Sequence, residues 1–383
     1  MKILICFGTR PEAIKMAPVI QELKKQKLEF KVCVTAQHRE MLDQVLDFFE
    51  IVPDYDLDLM QPNQSLNQLS SNILLSMDTV FDAAGLRQAS LRQVSLRQAQ
   101  TDIVLVQGDT TTAAMVALAA FHRGINVGHV EAGLRTYKKA APFPEEINRQ
   151  LTARIADFHF APTAKANSNL LREQIPKHHI CITGNTVVDA LQWAIRKMEL
   201  QPLSEEIQEI KTLLNPNKKL ILVTGHRREN FGEGLIHICE ALLELSKRED
   251  VELIYPVHLN PNVTGPVQEL LGDKTNIHLI SPVAYPTMLW LMQKCSLIIS
   301  DSGGIQEEAP TFKKPVLVTR EVSERMEGVE AGFSFLVGTD KNKILAEAVR
   351  LLNHPPDFSR IENPYGDGKA AFRIVECLTS KFG

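Results

Sequence analysis

The 383-residue sequence lacks the long apolar runs of a membrane protein. Its longest unbroken apolar run is Ala113–Phe121, far short of the roughly 20 residues that a helix needs to span a bilayer. The apolar start Met1–Gly8 meets Arg10, Pro11 and Glu12 almost at once and has no cleavage site, so it predicts a first buried strand rather than a signal peptide. We expect a soluble, cytoplasmic protein without a membrane partner.

Short metal-binding and disulfide motifs are also missing. The six cysteines include no CxxC pair and the eleven histidines no HExxH motif, which leaves His129-x-Glu131 and His178-His179 as weak metal candidates. We therefore expect no catalytic metal, and reduced core thiols at all six cysteine positions. These positions are Cys6, Cys33, Cys181, Cys239, Cys295 and Cys377.

Neither sign of charge dominates the chain. The 42 lysines and arginines face 46 aspartates and glutamates, for a net charge of −4. This balance argues against a general polyanion binder, so we expect no nucleic-acid partner. The apolar share of 44% and the charged share of 23% are ordinary for a globular protein. At about 150 residues per domain, the length predicts two or three domains.

Short β-branched runs alternate with longer helical patterns along most of the chain. The predicted strands are Lys2–Phe7, Phe30–Thr35, Ile103–Gln107, Asn126–Val130, Phe158–Ala161, Leu220–Thr224, Leu253–Val257, Leu297–Ser300 and Val316–Thr319. The predicted helices include Ala13–Lys25, Thr111–His122, Glu145–Ile155 and Ile305–Pro310. Uniformly apolar strands between helices are typical of a parallel sheet covered on both faces. The sequence therefore predicts an α/β protein with two Rossmann-like, doubly wound domains.

The same pattern suggests where the domains divide. We expect an N-terminal domain over residues 1–185, a second domain over 186–366 and a C-terminal helix over 367–383 that packs back on the first domain. Residues 86–100 consist of three five-residue repeats, each of which begins Leu-Arg-Gln. We call this segment the pentad repeat. Its leucines advance by about 140° around a helix and make no apolar stripe. We interpret it as a surface insert, with a partner-binding arm as the alternative.

Polar residues at strand ends are the first candidates for a site, because ligands of open parallel sheets bind outside the carboxyl ends of the strands. Arg10 and Lys15 follow the first predicted strand and place two cations beside a helix N-terminus, which itself favours anions. The alternative is a plain strand–turn–helix junction with a solvated arginine. A GxGxxG motif is absent here, which argues against a dinucleotide cofactor.

Three carboxylates stand at later loop ends: Asp109, Glu131 and Glu145. Each has a plain alternative. Asp109 could cap a helix, Glu131 could pair with Arg135, and Glu145 could complement a helix dipole. Together they predict proton transfer at carbon, which needs a base and an acid at opposed positions.

The second half of the chain offers groups that suit an anion. Gly225–Asn230, which contains His226, follows one strand, and His258 follows the next. The turn Ser302, Gly303 and Gly304 presents backbone N–H groups at a helix start, a suitable cradle for a diphosphate.

Two further side chains complete this set of candidates. A glutamate one helical turn beyond the turn at 302–304, Glu307 or Glu308, could accept two ribose hydroxyl hydrogens. Arg325 follows the last predicted strand and could contact a phosphate.

At these residues the sequence resembles the UDP-N-acetylglucosamine 2-epimerases, most closely the non-hydrolysing bacterial kind. The motifs that carry the resemblance are Gly8–Glu12, Gly108–Thr110, Val130–Arg135, Pro144–Arg149, Gly225–Asn230 and Asp301–Glu308. They span nearly the whole chain except residues 86–100. The resemblance implies a glycosyltransferase-B type fold, in which two Rossmann-like domains face a cleft, and a homodimer. It also implies reversible conversion of UDP-GlcNAc to UDP-ManNAc without an added cofactor, for surface polysaccharide synthesis.

The resemblance also implies roles for individual residues. It makes Asp109, Glu131 and Glu145 the acid/base carboxylates and His226 the essential histidine. The implied substrate contacts are Arg10, Lys15, His258, Met288, Ser302, Gly303, Gly304, Glu308 and Arg325, with Met288 standing where an aromatic commonly packs near uracil. The alternatives are a hydrolysing relative that releases UDP and ManNAc, a glycosyltransferase of the same architecture, and a catalytically silent nucleotide-sugar sensor.

Overall fold

The computed structural model describes residues 1–35, 39–61, 64–86, 102–225 and 227–382. The chain divides into two compact units, which we call unit 1 (Met1–Ala190 with Tyr365–Gly383) and unit 2 (Leu191–Pro364). The pentad repeat, apart from Leu86, and the predicted catalytic His226 lie outside the described residues.

Unit 1 is built on a seven-stranded parallel sheet in the order β3-β2-β1-β4-β5-β6-β7. Its strands are β1 Ile3–Phe7, β2 Phe30–Val34, β3 Tyr55–Asp56, β4 Ile103–Gln107, β5 Asn126–Val130, β6 Phe158–Ala161 and β7 Ile180–Ile182. Its helices are α1 Arg10–Lys25, α2 Arg39–Phe48, α3 Leu66–Ala84, α4 Thr111–His122, α5 Glu145–Ile155, α6 Ala164–Arg172, α15 Ala370–Phe382 and the start of α7 Thr186–Glu199. The strand order reverses between β1 and β4.

Unit 2 repeats this plan with a six-stranded parallel sheet in the order β10-β9-β8-β11-β12-β13. Its strands are β8 Lys219–Thr224, β9 Val251–Pro256, β10 Ile277–Ile280, β11 Leu297–Ser300, β12 Val316–Val318 and β13 Ser334–Leu336. Its helices are the rest of α7, α8 Glu205–Leu213, α9 Glu233–Leu245, α10 Pro261–Leu271, α11 Tyr285–Lys294, α12 Gly303–Glu308, α13 Met326–Glu330 and α14 Lys341–Asn353. The strand order reverses between β8 and β11, so the prediction of two Rossmann-like units is confirmed.

Two helices begin earlier than predicted. Helix α1 begins at Arg10 rather than Ala13, because Thr9 and Glu12 form a capping box that satisfies the first N–H groups. Helix α12 begins at Gly303 rather than Ile305, although the Ser302 side chain before it makes no capping hydrogen bond. Both shifts lengthen a helix toward the strand before it, which brings its first residues to the strand ends.

The prediction for the cysteines is confirmed at four positions and wrong at two. Cys6, Cys33, Cys239 and Cys295 are buried free thiols, and burial raises the pKa of Cys239 and of Cys295 to about 12. Cys181 on β7 and Cys377 on α15 instead form a disulfide across 196 residues of sequence. The fold brings these two together because α15 returns to unit 1, and nothing in their sequence spacing shows it.

No helix within the described residues is long and apolar enough to cross a membrane.

Candidate functional site

In unit 1, a buried glutamate joins the two loops at the point where the strand order reverses. Glu12 accepts hydrogen bonds from the backbone N–H groups of Gly8 (3.0 Å) and Thr9 (2.8 Å), both after β1. Its other oxygen accepts the Thr110 hydroxyl at 2.7 Å, after β4. Burial outweighs these hydrogen bonds and raises the pKa of Glu12 to about 7. The loops that carry Arg10 and Asp109 are therefore held together by one side chain.

Glu131, directly after β5, is buried and bonded to two donors. Its backbone is in the left-handed region, with φ at 64°. One carboxylate oxygen contacts the Lys15 ammonium and accepts the Gln107 amide N–H at 2.8 Å. Arg135 pairs instead with Glu173, through two bonds of 2.7 and 2.9 Å. The alternative of a Glu131–Arg135 ion pair is therefore wrong.

Asp109 follows β4, and its carboxylate forms an ion pair with Arg149. Its carboxylate accepts the Arg149 Nε–H at 2.9 Å. Its backbone oxygen accepts the amide of Asn148, also at 2.9 Å. Thr110, not Asp109, caps α4, since its hydroxyl accepts the Ala113 N–H. The capping alternative for Asp109 is therefore wrong.

A buried histidine supports the turn before Asp109. His129 Nε2 donates to the Gly108 carbonyl at 2.7 Å, and Gly108 has a φ of 70°, which favours glycine. Burial lowers the pKa of His129 to about 4, so its ring is neutral near pH 7. Within the described ranges no group of three or more His, Cys, Asp or Glu side chains could hold a metal ion.

Helix α5 presents two glutamates in its first turn, with different surroundings. Glu145 is its first residue and is partly exposed. Glu146 is fully buried and accepts the backbone N–H groups of Thr136 and Tyr137, both at 3.0 Å. Burial alone would raise the pKa of Glu146, but these bonds together with Gln150 and Arg149 outweigh it and hold the pKa below its ordinary value. Glu146 is thus a structural anion, whereas Glu145 stands at the loop end.

In unit 2, a buried aspartate joins the corresponding loops. Asp301, directly after β11, accepts the Arg227 backbone N–H at 2.9 Å and the Asn230 amide at 3.2 Å, both after β8. Asn230 also donates to the Thr319 carbonyl at 3.1 Å, after β12. Three strand ends of the second sheet are therefore fixed together around Asp301, which is 1% exposed.

Arginines gather at this edge of unit 2. Arg320 pairs with Glu229 and Glu324, at 2.9 and 3.2 Å. Arg227 lies near Arg320 and Arg325, and its enclosed Nε has no hydrogen-bond partner among the residues that the structure describes. Burial, reinforced by the charge of Arg320, lowers the pKa of Arg227. An anion at this edge would complete the coordination of these guanidinium groups.

The turn at 302–304 packs against an arginine. Arg325 donates its Nε–H to Glu307 at 2.7 Å and also contacts Glu324. A Cβ at Gly303 would lie 2.5 Å from the Arg325 guanidinium carbon, so only glycine allows this approach. Because Glu307 is bonded to Arg325, Glu308 is the better candidate of the two for a ribose contact.

The remaining predicted contacts of unit 2 are spread around the same sheet. His258 is exposed after β9, where its Nδ1 accepts the Asn260 N–H at 3.1 Å. Met288 is partly buried on the first turns of α11. A small cavity beside the strand ends is lined by Gly225, Arg227, Tyr255 and Asp301 among others.

Comparison with known proteins places this arrangement in a family. A family model described as UDP-N-acetylglucosamine 2-epimerase matches residues 21–379. The curated UDP-N-acetylglucosamine 2-epimerase of Salmonella typhimurium is 52% identical, and the match covers 99% of this chain and 99% of the relative. The chain belongs to the UDP-N-acetylglucosamine 2-epimerase family.

Solved structures of the epimerase family share the fold. The crystal structure of UDP-GlcNAc 2-epimerase from Neisseria meningitidis bound to UDP-GlcNAc has a TM-score of 0.91 and 48% identity, over 99% of this chain and 100% of that one. The Methanocaldococcus jannaschii enzyme in complex with UDP-GlcNAc and UDP has a TM-score of 0.83 and 33% identity, over 99% and 100%.

Several residues that organise this epimerase-family site were missed from the sequence. They are Glu12, Gln107, His129, Asn148, Arg149, Arg227 and Asp301. Most stand inside the motifs quoted above, so their position gave a signal. Their roles as partners of other side chains depend on tertiary contacts that no local pattern encodes.

Proposed function

We propose that this epimerase-family chain interconverts UDP-GlcNAc and UDP-ManNAc by inverting C2 of the sugar, without an added cofactor. The observation that carries the proposal is the placement of Asp109 and Glu131 at the ends of the paired strands β4 and β5, each in contact with a cation. A base and an acid at neighbouring loop ends suit proton transfer at one carbon.

The proposed chemistry is an elimination followed by an addition. The C2 hydrogen is not acidified by a carbonyl, so the C1–O bond to UDP breaks first and gives C1 oxocarbenium character. A carboxylate then takes the C2 proton, the C2–H electrons form the C1–C2 double bond, and 2-acetamidoglucal and UDP remain bound. Protonation of C2 from the opposite face and return of the UDP oxygen to C1 give the epimer.

We assign the proton transfers to Asp109, Glu131 and Glu145 of unit 1, with His226 as the essential histidine of unit 2. Lys15 contacts Glu131 and Arg149 contacts Asp109. These contacts hold each carboxylate in one position at its strand end.

We assign the binding of UDP to a second set of residues. It comprises Arg10, Lys15, His226, His258, Met288, Ser302, Gly303, Gly304, Glu308 and Arg325. The enclosed Nε of Arg227 supports a bound diphosphate, because a buried guanidinium is stabilised by an anionic partner. A leaving group that must depart and return has to be stabilised without being released, which calls for several fixed cations.

We further propose a homodimer that acts in the cytoplasm and supplies surface polysaccharide synthesis. The support for a dimer is an apolar stripe on unit 1. Ile147 (38% exposed) and Leu151 (48% exposed) are four residues apart on α5 and share one helix face. Phe143 (69% exposed) lies two residues before the helix begins. Exposed apolar side chains in a row are typical of a surface that a second protein covers.

Proton NMR of the purified protein with UDP-GlcNAc in D₂O tests the proposed activity. We expect UDP-ManNAc to appear and deuterium to enter C2 of both epimers. Free ManNAc and UDP without UDP-ManNAc would indicate the hydrolysing reaction instead. An unchanged spectrum with bound substrate would contradict the proposal and favour a transferase or a sensor.

A further inference from the structure

Arg149 of unit 1 is bonded through all three of its guanidinium nitrogens. It is 3% exposed. Its Nε and Nη2 both reach the same oxygen of Asp109, at 2.9 and 2.6 Å. Its third nitrogen, Nη1, donates to Glu146 at 3.1 Å. A planar guanidinium bonded on both sides has one orientation, so the Asp109 oxygen that it holds has one position.

The partner on the other side of Arg149 is itself fixed. Glu146 accepts the backbone N–H groups of Thr136 and Tyr137 as well as the side chain of Gln150. The series therefore runs from the backbone of the loop before α5 through Glu146 and Arg149 to Asp109. No member of it can rotate without breaking a buried, charge-assisted bond, which costs more than a neutral one.

Helix α5 holds the backbone of Asp109 as well. Asn148, beside Arg149, donates to the Asp109 carbonyl at 2.9 Å. Glu145 precedes Arg149 by four residues, and residues four apart lie on the same face of a helix. One rigid element thus carries one proposed acid/base carboxylate and grips another by both its side chain and its backbone.

We infer that Arg149 is a positioning residue that fixes the Asp109 carboxylate relative to Glu145 through helix α5. The inference rests on the proposed function, in which both carboxylates transfer protons. The Asp109 side chain is 24% exposed whereas those of Arg149 and Glu146 are almost fully buried. Asp109 is therefore the member of the series placed to meet a substrate. Arg149 acts through Asp109 and does not itself touch the sugar.

A double-mutant cycle on Asp109 and Arg149 tests this inference. We expect Arg149→Met to lower kcat by about 30- to 100-fold, since a displacement near 1 Å can cost about that much. The dissociation constant for UDP, measured by calorimetry, should change by less than about threefold. Asp109→Asn alone should cost about 10²–10⁴-fold in kcat. The double variant should be no more than about threefold slower than Asp109→Asn, because Arg149 then has nothing left to position.

Matched variants separate positioning from a merely structural role. Arg149→Lys keeps the charge beside Glu146 but loses the two-nitrogen grip, so we expect it to recover part of the lost kcat. Arg154→Met removes an exposed arginine of the same helix, which bonds only the Glu173 carbonyl among the described contacts, and should leave kcat unchanged. If Arg149→Met does not fold, Glu146→Gln loosens Arg149 from its other side and should lower kcat by about 3- to 10-fold with UDP binding retained.

The outcomes are distinguishable. The positioning role would be overturned if the fold losses of kcat in the two single variants multiply in the double variant. An unchanged kcat in Arg149→Met would overturn it as well. Both outcomes leave the proposed function intact. Parallel losses of kcat, UDP binding and thermal stability in every Arg149 and Glu146 variant would reduce Arg149 to a structural residue. A wild-type protein that forms no UDP-ManNAc and exchanges no C2 hydrogen would overturn the proposed function and, with it, this inference.

Discussion

The two units share one topology but use it differently. Each has a parallel sheet whose strand order reverses at its centre, and in each a buried carboxylate joins the loops there, Glu12 in unit 1 and Asp301 in unit 2. Beyond that shared joint, unit 1 places Asp109 and Glu131 at its strand ends, each in contact with a cation. Unit 2 places several arginines at the corresponding edge.

The sheet topology therefore sets the position of each candidate site, and the residues of the loops set its chemistry. The carboxylates of unit 1 suit the transfer of protons. The arginines of unit 2, with Arg227 enclosed near Arg320 and Arg325, suit the binding of a diphosphate. Substitutions of the unit 1 carboxylates should therefore alter turnover, and substitutions at the arginine-rich edge of unit 2 should alter affinity.

The largest expected effect is on the chemistry of unit 1. Glu131→Gln should lower turnover by about 10²–10⁴-fold, because an amide can serve neither as the general base nor as the general acid. The affinity for UDP should change little. Steady-state rates of UDP-ManNAc formation and calorimetric titration with UDP measure the two quantities. A loss under tenfold in a folded protein would reduce Glu131 to an ion-pair partner of Lys15.

The next largest effect is on the pH dependence of the free energy of unfolding. It comes from Glu12, the buried carboxylate that joins the two loops of unit 1. Burial raises the pKa of Glu12 to about 7, so the folded protein binds this proton more tightly than the unfolded chain does. This tighter proton binding stabilises the folded protein fully below about pH 4.5. As the pH rises to about 7 the stabilisation is lost, and the free energy of unfolding falls by about 3 kcal/mol.

Glu12→Gln tests that pH dependence. The amide oxygen can still accept the Gly8 and Thr9 N–H groups, and the amide nitrogen can donate to Thr110. The free energy of unfolding of the variant, from urea denaturation at pH 5 and pH 7.5, should fall less with pH than that of the wild type. Burial also raises the pKa of Asp189, to about 6. Asp189 therefore adds a similar change of the free energy of unfolding with pH to the variant and to the wild type. An identical slope in the two would show that Glu12 titrates normally.

A smaller effect is expected on the binding edge of unit 2. Gly303→Ala forces a Cβ to within 2.5 Å of the Arg325 guanidinium carbon, and displacement of this turn should weaken UDP binding by about tenfold. Gly265→Ala on α10 is the matched variant, since a Cβ there would meet nothing within 4 Å and the residue is not among the proposed UDP contacts. Equal losses of affinity in the two variants would refute the role of the Gly303–Arg325 contact.

The smallest effect should be alike in both units. Ser65 caps α3 in unit 1 and Asp340 caps α14 in unit 2, each accepting a backbone N–H of the first turn. Replacing either with alanine should lower the free energy of unfolding by about 1 kcal/mol. Neither kcat nor the affinity for UDP should change. A change of either parameter in one cap variant would show that the helix end is coupled to the site.

The central strands of both sheets could be predicted from sequence because they are buried on both faces and therefore uniformly apolar. The edge strands β3, β10 and β13 were not predicted. They are two to four residues long and only partly buried. Such strands are specified by the neighbour they pair with, and a local pattern does not contain that neighbour.

The same limit applies to the candidate site. Asp109 and Glu131 could be predicted as polar residues after apolar strands, yet their partners could not. Lys15 reaches Glu131 across 116 residues of sequence, and Arg149 reaches Asp109 across 40. The sequence places Arg135 four residues from Glu131, but the structure pairs it with Glu173. Side-chain pairing is decided by the fold, so proximity in sequence misleads.

Helix α15 has a consequence for the order in which the protein can fold on the ribosome. It packs against α1 and buries Ile374, Val375 and Leu378, yet it is synthesised after every residue of unit 2. Unit 2 can therefore become complete on the nascent chain while unit 1 still exposes the apolar groove that α15 will fill. During that interval the unfinished surface of unit 1 is the part of the molecule most open to chaperones and to aggregation.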